Sequence, residues 1–169
     1  MRSTLWIGRA MGEMRHCERT WLCTFTLAAD HHYAFLAKAI DRQRKKGVVW
    51  EQMTIAEQLV ARHEVVQTEL TKWFKRLRKA GHSFRYLLVM EAHKSGLPHY
   101  HVLLHEIGEP IRYADLEKAG WAYGFTHFKL ADLRSAYYVA KYLSKSTAAR
   151  VRASVGYGNP PSRDMSGPK

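Results

Sequence analysis

The sequence predicts an α+β fold, a two-layer sandwich with a central antiparallel sheet and flanking helices. Three observations predict it. The apolar runs "FRYLLVMEAH" (84–93) and "HYHVLLHE" (99–106) are separated by "KSGLP", whose Gly and Pro mark a turn, so they read as a β-hairpin. "TIAEQLVARHEVVQTELTKWFKRLRKAG" carries apolar residues at three- and four-residue spacing, the period of an amphipathic helix. The order strand, two helices, hairpin, short helix, strand, helix brings the helices in groups rather than after every strand, which is the α+β pattern.

Residues 1–19 read as an N-terminal arm. "TWLCTFTLA" (20–28), rich in Thr, Phe, Trp and Leu, reads as a buried strand. "DHHYAFLAKAIDRQRKK" follows as a helix, with Asp30 in the N-cap position, cations at the end where the dipole favours them, and Gly47 as its stop. In the long helix, Thr54 and Glu57 have the spacing of a capping box and Gly81 closes the element. Its last turns, "KWFKRLRK", interleave cations with aromatics, as a solvated helix end also does. Beyond the hairpin, "RYADLEKAGW" reads as a short helix, "GFTHFKLAD" (124–132) as a strand and "LRSAYYVAKYLSKS" (133–146) as a helix with a basic end. Residues 147–169 are rich in Gly, Pro and Ser and read as a flexible C-terminal tail. A single domain, residues 20–146, is therefore expected between arm and tail, in a ferredoxin-like arrangement.

Lys and Arg number 27 against 15 Asp and Glu, a net charge of +12. Such an excess favours a polyanionic partner, either nucleic acid or an acidic membrane surface. No run approaches the roughly 20 apolar residues of a bilayer span, and the N-terminus is too polar for a signal peptide. Cys17 and Cys23 fit no zinc-finger spacing and build no disulfide framework, in keeping with a reducing cytoplasm.

The hairpin carries the first candidate chemistry. Residues two apart on a strand face one way, so His99 and His101 project side by side while Tyr100 and Val102 face the other side. Glu91 shares the parity of Leu87 and Val89, and a carboxylate on that apolar face is costly unless paired or bound to metal. Glu91, His99 and His101 thus form a candidate ligand set for one divalent metal, with His93 competing for the third place. The plain alternative is a pair of half-buried strand histidines. Tyr100 is then a packing residue between the two, and His105, on the ligand side, a bystander.

The last helix carries the second. Tyr138 and Tyr142 are four apart and share a face, flanked by Lys141 and Lys145, while Tyr137 is turned about 100° away. A phenol, with a pKa near ~10, is a poor nucleophile at neutral pH. Nearby ammonium groups favour the phenolate, and a metal stabilises charge on phosphoryl oxygens. The helix alone leaves a second reading open, in which both tyrosines are core aromatics beside Val139, Ala140 and Leu143.

Together these segments resemble an HUH endonuclease, the family that starts rolling-circle DNA replication. "WLCTFTLA" resembles its first motif and "EAHKSGLPHYHVLL" its second, histidine–hydrophobic–histidine with an upstream acid. "YVAKYLSK" resembles its third, in the two-tyrosine form that points to the gene A type initiators of small single-stranded DNA phages. "GWAYGFTHFKL" resembles the Trp- and Gly-containing strand between them, and the likeness spans roughly residues 20–146. It implies that Glu91, His99 and His101 hold Mg²⁺ or Mn²⁺, although the ligands alone also suit Zn²⁺. It implies that Tyr138 or Tyr142 attacks single-stranded DNA at a replication origin, which can be a hairpin, leaving a 5′-phosphotyrosine and a 3′-OH that primes synthesis. Lys141 would steady the phosphate, and Lys145, Arg134, Lys129, Thr24 and Thr26 would contact DNA. Aromatics such as Trp73, Phe74, Trp121 and Tyr123 would stack on bases.

There is no Walker-type Gly-rich loop, so unwinding and synthesis would fall to a helicase and polymerase of a bacterial host, in whose cytoplasm the protein is expected. An acid in the third ligand place argues against a relaxase, which uses a third histidine. Two rivals share part of the pattern. An HUH transposase of the single-tyrosine type would depend on Tyr138 alone. A non-catalytic ferredoxin-like protein binding single-stranded nucleic acid would leave the ligands and tyrosines unexplained.

Overall fold

Alternation along "TWLCTFTL" organises the molecule. The computed structural model describes residues 2–92, 98–145 and 150–160. In strand β1 (Thr20–Leu27), Trp21, Cys23, Phe25 and Leu27 point into one core, and Leu22 into another on the opposite side. Strands β2 (Phe84–Ala92), β3 (Pro98–Glu106), β4 (Gly124–Leu130) and β5 (Arg150–Ala153) complete a five-stranded sheet in the order β4-β1-β3-β2-β5, and every pair is antiparallel. The expected α+β class, an antiparallel sheet flanked by helices, is the architecture formed.

Helices α1 (Arg2–His16), α2 (Ala29–Lys45), α3 (Ile55–Lys79), α4 (Tyr113–Lys118) and α5 (Leu133–Lys145) surround it. The first face carries α2 and α3. From α3, Val66, Leu70, Trp73, Phe74 and Leu77 enter the core at helical spacing, and Phe25 meets Trp73 edge-on with centroids 5.0 Å apart. The expected capping box starts α3: Glu57 N–H donates to Thr54 Oγ1 at 3.2 Å, and Thr54 N–H donates to Glu57 Oε2 at 2.7 Å. α2 begins differently from expectation, because Ala28 is its N-cap and Asp30 falls in its first turn.

The second face differs from the sequence reading at both ends of the chain. The expected arm is largely α1, whose Trp6, Ala10 and Met14 recur every four residues and pack with Ala136 and Val139 of α5 over Leu22, Leu87 and Leu103. Helices thus cover both faces, one layer more than a two-layer sandwich. The first stretch of the expected tail pairs with β2 as β5, and Tyr157 is buried beyond it. A buried fork fastens these parts together: Arg85 donates to both carboxylate oxygens of Glu13 at 2.8 and 2.9 Å, and Gly158 N–H donates to Glu13 at 2.8 Å. The rest of the tail (146–149 and 161–169), the turn at 94–97 and His93 lie outside the described residues. No helix among the described residues is long and apolar enough to cross a membrane.

Two buried histidines make this fold acid-sensitive. His105 bonds Thr20 Oγ1 at 2.8 Å and Tyr157 at 2.7 Å, and His63 lies against Tyr100. Burial pushes both imidazoles down to about 4 from their ordinary 6.5. The unfolded chain therefore binds more protons than the native one between those values. Stability is fully present above pH 6.5 and is lost as pH falls toward 4. Urea unfolding between pH 7 and 5 should show a loss approaching ~1.4 kcal/mol per pH unit for each histidine. His105→Gln should remove about half of that slope, and an unchanged slope would assign the acid sensitivity elsewhere.

Candidate metal and nucleophile site

Strand register builds the site on the second face. Across the sheet, Glu91, His99, Thr26 and Phe125 stand in one row; Val89, His101, Thr24 and His127 in the next; Leu87, Leu103, Leu22 and Lys129 in a third. Glu91 is only 7% exposed and His101 4%, so the carboxylate sits on an apolar face as the sequence parity requires. One ligand atom from each of Glu91, His99 and His101 lies within 4.8 Å of the others, and His101 Nε2 is 3.2 Å from Glu91 Oε1. Ligands bound at about 2.1 Å in octahedral geometry stand ~3.0 Å apart when adjacent and ~4.2 Å apart when opposite. The three groups therefore fit around one divalent cation. Thr24 Oγ1, 3.3 Å from His101 Nδ1, fixes the outer ring nitrogen in the manner of a ligand-orienting partner.

The nucleophile candidates reach this cluster from α5. At its start Ser135 N–H donates to Asp132 Oδ1 at 3.0 Å and Asp132 N–H to Ser135 Oγ at 3.2 Å. The bond from Ser135 holds the Asp132 carboxyl below its ordinary range. Ala136, Val139 and Ala140 take the core side. That leaves the tyrosines to face the ligands. The Tyr142 ring stacks on His101 with centroids 5.0 Å apart and planes 9° apart, while Tyr138 stands edge-on at 6.1 Å. The Tyr142 hydroxyl donates to the Tyr138 hydroxyl. Partial burial, that bond and the Glu91 charge push the Tyr142 phenol well above its ordinary range. The core-aromatic reading of α5 fails for Tyr138 and Tyr137, which are 47% and 61% exposed.

A cleft of about 420 Å³ lies between α5 and the β1–β4 edge, lined by Lys129, Arg134, Tyr137, Tyr138 and Lys141 among others. Three of the expected DNA-contacting cations thus converge beside Tyr138. Thr24 and Thr26 lie next to the ligand histidines in register. The Lys145 side chain lies outside the described residues.

The expected aromatic contacts are corrected. Trp73 and Phe74 are 0% and 2% exposed in the core under the other face, and Trp121 and Tyr123 pack against that core, with Tyr123 donating to Glu69 at 2.8 Å. Tyr100 is fully buried on the same far side, the packing role expected of it. The exposed aromatic on the ligand face is Phe125, which the sequence reading passed over. Phe125 and Phe128 have opposite parity within "GFTHFKL", so only one of them could enter the helix-covered core.

Comparison with known families places the chain among replication-associated proteins. The family model for the replication-associated proteins of the ORF2 and gene 2 protein type matches residues 20–147, and the chain belongs to that family. Membership supports a rolling-circle replication initiator acting on origin DNA. No curated protein and no solved structure matches the chain.

Proposed function

We propose that this protein is a metal-dependent endonuclease and strand transferase of the HUH type, in its two-tyrosine form, that nicks single-stranded origin DNA. The observation that carries the reading is the stacking of Tyr142 on His101, which joins two motifs distant in sequence into one centre.

Glu91, His99 and His101 are the residues that would hold Mg²⁺ or Mn²⁺. Such an ion, when bound, polarises phosphoryl oxygens and stabilises the charge that develops on them. Tyr138 or Tyr142 attacks phosphorus in line with the 3′-oxygen. A tyrosyl O–P bond forms, the P–O3′ bond breaks, the phenol proton passes to solvent and the departing oxygen takes up a proton. The products are a 5′-phosphotyrosine and a free 3′-OH that primes synthesis. The new bond retains the phosphodiester energy, so an incoming 3′-OH reverses the step without ATP.

Lys141 on α5 and Lys129 and Arg134 around the cleft offset the phosphate charge. One phenol holds the DNA while its neighbour cuts again, which accounts for two on one helix face. Unwinding and polymerisation belong to a host helicase and polymerase.

The test is a denaturing gel of the protein with labelled single-stranded origin DNA. Mn²⁺ should yield a covalent protein–DNA adduct and EDTA should abolish it. Adducts that persist in EDTA would remove the metal from the reaction. Tight binding without any adduct would leave a single-stranded DNA-binding protein with no chemistry.

A further inference from the structure

We propose that Phe125 is a base-stacking platform for the single strand, fixing a nucleotide beside the one that is cut. The inference rests on the nicking function proposed above and adds a residue that the motifs do not contain.

Phe125 is 70% exposed although it stands in a sheet. Among the described residues it makes no ring contact, while its strand neighbour Phe128 packs against Phe25, Trp73 and Tyr113. Register places Phe125 in the same cross-sheet row as Glu91 and His99, with Thr26 of β1 between. Two strand spacings, roughly 10 Å, separate it from His99. A strand of DNA with its phosphate at the ligands therefore has its adjoining base within reach of the ring. His127 and Lys129 follow at every second residue on the same face, about 7 Å apart, and Lys129 opens into the cleft beside Tyr138.

Local structure holds the ring there. Gly124 precedes it, and a Cβ at that position would overlap the Thr26 carbonyl oxygen and lie 2.5 Å from the Ala28 nitrogen. Only glycine lets β4 close this tightly on the end of β1.

Charge selects the occupant. β4 contains no acidic residue, and Lys129, Arg134 and Lys141 surround its near end in a chain of net charge +12. A second copy meeting this surface would bring like charges together, whereas a single strand of DNA brings phosphates for the cations and a π-face for the ring.

The experiment measures binding by fluorescence anisotropy in EDTA, where no cutting is needed. The probes are a labelled oligo(dT) of about 20 nucleotides and a base-free deoxyribose-phosphate strand of equal length, since stacking tolerates any base. Phe125→Ala should weaken oligo(dT) binding about 5- to 100-fold and leave the base-free strand unaffected. Phe125→Trp should bind oligo(dT) at least as well as the wild type. Equal losses on both strands, or none on either, would overturn the platform. So would a change in self-association by sedimentation with DNA binding intact, which would make the ring a subunit contact. The adduct assay reads the nicking function separately: adducts formed by a Phe125→Ala protein with unaltered oligo(dT) binding would sink the platform alone.

Discussion

Replacing both Tyr138 and Tyr142 by Phe should abolish covalent adduct formation, a loss on the order of 10³-fold or more, while each single replacement retains part of the activity. The asymmetry follows from geometry. Both phenols stand at the same imidazole and hydrogen-bond to one another, so either oxygen has access to a phosphate held there. Tyr→Phe removes one oxygen and keeps the ring, so the stacking on His101 survives and the fold is not at stake. Adduct formed by the double variant would move the nucleophile, with Tyr137 next in line because it is exposed and lines the same cleft. Complete loss in Tyr138→Phe alone would favour the single-tyrosine transposase.

The second large effect belongs to the ligands. Mn²⁺ at about 100 times its dissociation constant should stabilise the wild type by ~2.7 kcal/mol, read as a rise in Tm. His101→Ala should lose both that rise and the metal-dependent cleavage. It also strips the buried Glu91 of its 3.2 Å partner, at a cost to apo stability of about 1–3 kcal/mol. Glu91→Gln separates the two effects, since the amide keeps shape and hydrogen bonding but discards the charge. It should remain folded while its response to Mn²⁺ collapses. A Glu91→Gln protein still stabilised by Mn²⁺ to the wild-type extent would place the cation elsewhere.

The hairpin and its three ligands were readable because they are local. Period-two alternation fixes which side chains share a face, and a short turn fixes which residues lie opposite, so Glu91 falls beside His99 without tertiary knowledge. The Tyr138–Tyr142 face was equally visible, but not where it points. Its stacking on His101 depends on the packing of Ala136 and Val139 against α1 and the sheet. α1 left a periodic trace in Trp6, Ala10 and Met14, which the surrounding charges obscured. β5 has four residues and no period long enough to read, so its pairing with β2 is a tertiary fact. Trp73 and Phe74 were misassigned to DNA because aromatics interleaved with cations look alike in a binding surface and in the buried stripe of a basic helix.

One feature of the site governs when it can act. The three ligands lie on a single hairpin, at most ten residues apart from Glu91 to His101, so bringing them together costs little chain entropy. The phenols come from a separate helix and reach the ligands only after α5 has docked on the sheet beside α1. Holding the cation and cutting DNA are therefore earned at different stages of assembly. A nascent or partly melted chain can keep the ion yet has no blade, so the architecture works as an interlock that arms the nuclease only when its second helical layer is in place.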